Sequence, residues 1–209
     1  TSIDPDTSFG RPGVGLELLF GYTPTLNQFS TDLSLPQSYS HRLIGREQVV
    51  SQMERALTAG SSVILMGDPG VGKKTIVLEF AHRAAAGGLG KTMAYRRVLE
   101  FDYNALLSEA TDLNLKKTKL AQVFEEAAVA GNIILAIRDI HRLTNSQVEG
   151  YDFTDAVTQV LEKGELKIIA IATPSDYERF ITANLRLRKF FERVVATAPT
   201  KDEALLILV

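Results

Sequence analysis

The chain has 209 residues, of which 45% are apolar, and its 23 basic and 25 acidic side chains leave a net charge of −2. That balance excludes the strongly basic surface that nucleic acids or anionic membranes attract, so neither is expected as a partner. There is no cysteine, which excludes a disulfide framework and a cysteine-based metal site. A membrane-spanning helix needs about 20 apolar residues in a row. Neither such a run nor a signal pattern occurs, so we expect a cytoplasmic location.

Residues 1–40 differ in composition from the rest of the chain. They are rich in Pro, Ser and Thr and hold only short apolar runs, so we expect an irregular arm or linker. Residues 10–15 imitate a phosphate-binding loop, but no strand precedes them and no lysine follows, which favours a simple turn. Residues 41–199 are expected to form one folded core. Residues 200–209 are expected to begin a further helix, because they open with a capping box.

Apolar residues recur in two patterns as the core is followed from its start. Helical spacing predicts helices over 49–57, 76–84, 120–128, about 153–163 and about 176–185. Apolar runs predict strands at 62–66, 133–137 and 166–171, and the segments 94–101 and 191–196 are also interpreted as strands, which makes five. Because the strands alternate with helices and are apolar on both faces, we expect an α/β fold whose parallel sheet is covered on both sides.

The strongest motif follows the first core strand. The pattern Gly-x-x-x-x-Gly-Lys is matched by Gly67, Asp68, Pro69, Gly70, Val71, Gly72 and Lys73. A phosphate-binding loop requires a strand before it and a helix after it, since backbone N–H groups and the helix N-terminus attract phosphate oxygens. We therefore expect this loop to bind nucleotide phosphates, with Lys73 contacting the terminal ones.

The residue after Lys73 breaks the motif. A Ser or Thr hydroxyl that coordinates Mg²⁺ is expected there, but the position holds Lys74, and Thr75 comes one residue late. Each residue of an α-helix turns the chain by about 100°. Thr75 is therefore not expected to replace the missing hydroxyl.

Several segments, in order, resemble AAA+ ATPases of the Clp type, and specifically the first ATPase module of the Clp protein-unfolding chaperones. The resembling segments are residues 23–26 with 32–33, residues 43–47, the phosphate loop, residues 132–141 and residues 172–177. Residues 132–141, NIILAIRDIH, follow the family's NVILFIDEIH nearly letter for letter. The resemblance covers the chain from Thr23 to its end.

This resemblance implies a three-layer αβα sandwich with a five-stranded parallel sheet, ATP or ADP at the phosphate loop, and assembly into rings that act on protein clients. It places Leu43 and Ile44 on the adenine side of the nucleotide. It also implies a small helical lid after the sandwich. Residues 200–209 are then the start of the lid, and the lid itself is expected to be absent from this sequence.

Two acidic positions of the family's NVILFIDEIH segment are altered. The magnesium-orienting Asp falls on Arg138, and the catalytic Glu falls on Asp139, whose side chain is one methylene shorter. In an alternative register Asp139 is the metal partner, and Ile140 stands at the position of the base. A general base must reach the attacking water within hydrogen-bond distance, so both registers predict impaired catalysis. Asp139 remains the candidate catalytic base.

Lys74 and Arg138 together change the charge where Mg²⁺ is expected. Relative to Thr and Asp they make this place three units more positive. One interpretation is that both side chains take the metal's place and bind phosphate, since Arg suits forked contacts with phosphate oxygens. A Mg²⁺ cofactor is then in doubt, and water attack is poorly organised. The other is that they point to solvent or pair with Asp68 and Asp139, leaving the pocket empty.

Thr173 falls at the family position that faces the γ-phosphate. It is interpreted either as a nucleotide sensor with a catalytic role or as a cap of the turn that follows its strand. The three histidines, His41, His82 and His141, form no metal-binding spacing, so no metal site is predicted from them.

Two features by which the family's modules contact their neighbours and clients are missing. The paired arginines that reach a neighbour's phosphate fall on Lys189 and Phe190, with Arg186 and Arg188 close by as candidate substitutes. The aromatic residue of the pore loop falls on Asp112, so threading of a polypeptide by this module is doubtful.

Three functions are consistent with these residues. The first is an AAA+ module with impaired or Mg²⁺-independent handling of adenine nucleotide and a regulatory or structural role in a ring. The second is an active ATPase that uses Asp139 as base and an arginine supplied by a neighbour. The third is a scaffold that keeps the fold without binding nucleotide. The intact glycines and Lys73 speak against the third.

Overall fold

The computed structural model describes residues 23–35 and 46–197. Leu43, Ile44, the predicted turn at 10–15 and the predicted lid start at 200–209 lie outside these residues. Within them, no helix combines the length and the apolar composition needed to cross a bilayer.

A six-stranded sheet forms the centre of the described structure, in the order β1-β3-β4-β5-β2-β6. Its strands are β1 (Ser30–Asp32), β2 (Ser62–Met66), β3 (Arg97–Phe101), β4 (Ile133–Arg138), β5 (Lys167–Ala172) and β6 (Phe191–Val195). Strands β2 to β6 pair in parallel, as predicted. All five residues of β2 are buried, as expected of a strand covered on both faces.

Helices cover both faces of the sheet. They are α1 (Pro24–Gln28), α2 (Glu47–Thr58), α3 (Lys73–Ala85), α4 (Tyr103–Ser108), α5 (Leu113–Ala130), α6 (Ile140–Leu143), α7 (Ser146–Glu149), α8 (Thr154–Glu162), α9 (Pro174–Asp176) and α10 (Leu185–Arg188). Neighbouring residues of β2 enter opposite cores: Ile64 joins the one that contains Phe124 of α5, and Leu65 joins the one that contains Phe80 of α3. The α/β fold and its three αβα layers are therefore confirmed.

The sheet has one strand more than predicted, because part of the arm is ordered. Residues 24–32 form α1 and β1, and β1 pairs antiparallel with β3 at the sheet edge. Leu26 of α1 is fully buried, and Asp32 of β1 accepts a hydrogen bond from Arg97 Nε at 2.9 Å. A three-residue polar strand lacks the apolar pattern by which strands are predicted. Its extended conformation is therefore determined by its pairing with β3.

Two predicted elements have different bounds. Strand β3 begins at Arg97 rather than at 94, because Tyr95 has a positive φ of 61° and donates its N–H to the Ala84 carbonyl at 2.7 Å. The helix predicted over about 176–185 is broken into α9, a π-helical turn (Tyr177–Ile181) and α10. The side chain of Asn184 starts α10 afresh by accepting the N–H of Leu187.

Candidate nucleotide-binding site

The phosphate loop connects β2 to α3 and packs closely on the end of β6. Gly70 and Gly72 have φ angles of 83° and 85°, in the left-handed region that glycine adopts without steric cost. A Cβ on Gly67 would lie 2.7 Å from the carbonyl oxygen of Ala196 and 2.7 Å from a methyl carbon of Val71. The predicted glycines are thus required by the backbone path, and the loop cannot leave β6 without losing this fit.

Lys73 is the first residue of α3, and its side chain turns back over the loop. Its Nζ donates to the carbonyl oxygens of Gly67 at 2.6 Å and Asp68 at 2.9 Å. Asp68 and Pro69 are exposed at the loop tip, so the loop is open to a ligand. An ammonium group and the N–H groups of a helix N-terminus therefore meet at an accessible place, an arrangement that fits phosphate oxygens.

Arg46 ties the back of the loop to β6. Its residue is only 7% exposed. One guanidinium nitrogen donates to the Val71 carbonyl at 2.8 Å, and another donates to the Thr197 carbonyl. Residues 43–47 were interpreted as an adenine-side segment, but nothing in that pattern indicated that Arg46 supports the phosphate loop.

Replacing Arg46 with alanine is expected to lower the free energy of unfolding by about 2 to 3 kcal/mol, because two carbonyl oxygens lose a charged donor. Urea denaturation measures this change, and Arg55→Ala, a change at an exposed residue of α2, is the control. A loss for Arg46→Ala no larger than that for Arg55→Ala would show that Arg46 does not hold the loop.

Glu100, a residue that the sequence analysis passed over, joins Lys74 to Arg138. Its Oε1 lies 2.9 Å from Arg138 Nε, and its Oε2 lies 3.4 Å from Lys74 Nζ. Lys74 and Arg138 thus pair with Glu100 rather than with Asp68 or Asp139, and more than half of each side chain is exposed, as the solvent-facing alternative expected. The signal that could have revealed Glu100 is a carboxylate that follows the apolar pair Val98 and Leu99 inside a strand.

The charge balance of this cluster follows directly. Lys74, Arg138 and Glu100 together carry one net positive charge. A Cβ built on Gly72 would meet the Thr75 hydroxyl and an Arg46 nitrogen at 3.9 Å each. That Thr75 does not replace the missing hydroxyl remains a prediction.

Asp139 follows β4 in a left-handed backbone conformation, with φ 51° and ψ 46°. For a residue with a Cβ this conformation is costly and persists only when neighbours hold it. The Asp139 N–H donates to the Ile171 carbonyl of β5 at 3.0 Å, and the Tyr103 hydroxyl donates to the Asp139 carbonyl at 3.4 Å. Burial raises the pKa of Tyr103 to about 12, so this hydroxyl remains a donor at neutral pH.

Thr173 caps α9. Its hydroxyl accepts the N–H of Asp176 at 3.1 Å and donates to Asp176 Oδ2 at 2.6 Å. The capping interpretation is thus confirmed, and the sensor role remains a prediction. The other oxygen of Asp176, Oδ1, lies 4.0 Å from Nε2 of the buried His141, whose ring stacks on Phe180 with centroids 5.1 Å apart.

The same region brings together a set of ligand-type atoms that sequence spacing did not predict. One such atom each from Asp139, His141 and Asp176 lies within 4.8 Å of the others. Ligand atoms usually lie about 2 to 2.5 Å from a bound ion, so this separation is at the upper end of what one ion spans. The three side chains are therefore a candidate site for a divalent ion.

The remaining predicted residues have ordinary structural partners. Arg186 pairs with Asp155 at 2.7 Å, and both side chains are largely exposed. Arg188 is also exposed. Asp112, at the family's pore-loop position, caps α5 by accepting the N–H of Leu115 at 2.9 Å. This role is structural and does not involve contact with a client protein.

Comparison with known proteins agrees with this geometry. The family described as "ATPase family associated with various cellular activities (AAA)" matches residues 63–197. The chaperone protein ClpB of Wolinella succinogenes is 32% identical over 170 residues, which cover 79% of this chain and 20% of the relative. ClpB of Helicobacter hepaticus is 30% identical over 190 residues, or 88% and 22% of the two chains. The chain thus spans about a fifth of the length of these relatives.

A solved structure with the same fold is the S. cerevisiae Hsp104–ADP complex, with a TM-score of 0.76 and 23% identity. It covers 88% of this chain and 32% of the Hsp104 chain. The matched segment begins in β2 and contains the phosphate loop, Arg138, Asp139 and Thr173. The chain belongs to the AAA family of ATPases and is an AAA+ module of the Clp type.

Proposed function

We propose that this chain binds an adenine nucleotide with Lys74 and Arg138 in the place of Mg²⁺, and that it hydrolyses ATP slowly or not at all. The observation that carries the proposal is the Lys74–Glu100–Arg138 cluster. It puts two cations where the family resemblance assigns a metal-contacting hydroxyl and carboxylate. Mg²⁺ is bound by oxygen ligands, so these cations do not fit it, whereas they suit phosphate oxygens.

The phosphate loop supports the nucleotide half of the proposal. Its close packing at Gly67, its left-handed glycines and the position of Lys73 leave the loop mouth open and cationic. The related Hsp104 has been solved in complex with ADP. An adenine nucleotide, ATP or ADP, is therefore the ligand that we assign to this loop.

We assign the module a regulatory or structural role in a ring of a cytoplasmic chaperone that acts on protein clients. Its relatives are named as chaperones. The position of the family's pore-loop aromatic residue is occupied by Asp112, the cap of α5. Asp112 has no aromatic ring with which to grip a threaded polypeptide. Exposed Arg186 and Arg188 are the candidates for contact with a neighbouring subunit's nucleotide.

Titration of a fluorescent ATP analogue into the chain, in Mg²⁺ and in EDTA, tests the proposal. The dissociation constant is expected to differ by less than about threefold between the two conditions, because no interaction as strong as a metal bridge is lost. The double variant Lys74→Thr/Arg138→Asp is the matched comparison. It restores oxygen ligands and is expected to bind about tenfold more tightly with Mg²⁺ than with EDTA.

The other outcomes identify the rival functions. Tight binding that requires Mg²⁺, together with Mg²⁺-stimulated phosphate release, would contradict the proposal and favour an active ATPase with Asp139 as base. Absence of binding in both conditions would contradict it in favour of a scaffold. Phosphate release is measured on the same samples, so one set of experiments separates the three functions.

A further inference from the structure

Glu100 differs from its two partners in how firmly it is held. Its side chain is 14% exposed, whereas those of Lys74 and Arg138 are 58% and 61% exposed. Glu100 belongs to β3, whose neighbours on both sides are paired strands. The carboxylate is therefore fixed, while the two long cationic side chains can turn away from it towards a ligand.

Space for such a movement is present beside the cluster. A polar cavity of about 290 Å³ lies at the carboxyl ends of β3 and β4, and its charged lining residues are Arg138, Glu100, Asp102 and Asp139. Lys74 reaches the cluster from the first turn of α3, immediately after the lysine of the phosphate loop. A terminal phosphate that extends beyond Lys73 would thus approach the same two cations that Glu100 now holds.

We propose that Glu100 sets the discrimination of this site between nucleoside triphosphates and diphosphates, by competing with the terminal phosphate for Lys74 and Arg138. This inference rests on the proposed function. A diphosphate leaves both cations on Glu100. A triphosphate draws them away and leaves a largely buried carboxylate without its partners, which is unfavourable. Glu100 therefore weakens triphosphate binding selectively.

The test measures the dissociation constants of ATP and ADP in EDTA, by competition with a fluorescent nucleotide, for the unaltered chain and for Glu100→Gln. Removing the competing charge is expected to raise the preference for ATP over ADP about tenfold, with ADP affinity changed less than about threefold. Glu125→Gln, an equal change at an exposed residue of α5, is expected to leave the preference unaltered.

A second background keeps the test decisive if Glu100→Gln perturbs folding. Arg138 is largely exposed, so the Arg138→Gln variant is expected to fold. In that variant, the added change Glu100→Gln is expected to raise the preference for ATP over ADP less than it does in the unaltered chain. An unchanged or lowered preference in Glu100→Gln, or an equal effect in both backgrounds, would overturn the inference while leaving EDTA-resistant binding intact. If the unaltered chain binds only with Mg²⁺, the proposed function and this inference both fail.

Discussion

Replacing Lys73 with alanine is expected to weaken ATP binding about 100-fold. The ammonium group stands over the loop mouth, where a hydrogen bond between charged groups contributes about 1.5 to 3 kcal/mol and a tenfold change in affinity corresponds to about 1.4 kcal/mol. Fluorescence titration in EDTA isolates this contribution from any metal effect. Lys73 is bonded only to backbone carbonyls in the described structure, so the fold does not depend on it for an ion pair.

The control for this prediction is Lys117→Ala. Lys117 is an exposed lysine of α5, so its removal changes the net charge of the chain equally without touching the loop. Circular dichroism of both variants checks that the fold persists. Equal affinities of Lys73→Ala and Lys117→Ala for ATP would mean that the loop does not bind phosphate in the manner proposed.

Substituting Gly67 with alanine is expected to lower the free energy of unfolding by about 1 to 3 kcal/mol, the usual range for an overpacked site. The new Cβ would meet the Ala196 carbonyl oxygen at 2.7 Å, and Ala196 donates its N–H to Met66 at the end of β2. Neither backbone can yield without separating β2 from β6. Urea denaturation, followed by the same nucleotide titration, measures the stability and the affinity of the variant.

Gly88→Ala is the matched control for this second prediction. A Cβ on Gly88 would have its nearest contact at 3.4 Å, an ordinary van der Waals distance. Its effect on unfolding is expected to stay within about 0.5 kcal/mol, as for most surface substitutions. If the two alanine variants are equally stable, the phosphate loop is not held against β6 as tightly as the structure indicates.

The parts of the fold that sequence could predict are those determined by local patterns. The runs at 63–66 and 133–137 are apolar throughout because helices cover both faces of the sheet, and that burial is visible in the residues themselves. The motif of the phosphate loop is likewise local, since its glycines and Lys73 lie within one short segment. Both could be located before the structure was known.

The parts that sequence could not predict depend on residues far apart in the chain. The role of Glu100 depends on its ion pairs with Lys74 and Arg138, which form only when β3, β4 and α3 are packed together. The support that Arg46 gives to the loop depends on β6 in the same way. The strained backbone of Asp139 is imposed by contacts with β5 and Tyr103, and no feature of its local sequence requires it.

Strand β1 has a consequence for how this module tolerates its surroundings. Without Ser30–Asp32, strand β3 would become the border of the sheet and would present unpaired N–H and C=O groups to any extended chain. An exposed edge of this kind promotes self-association. Strand β1 covers the edge of β3, and its own polar residues keep its outer side hydrophilic. Covering this border is expected to lower the tendency of the module to aggregate, and a chain trimmed to begin at residue 46 is expected to aggregate more readily.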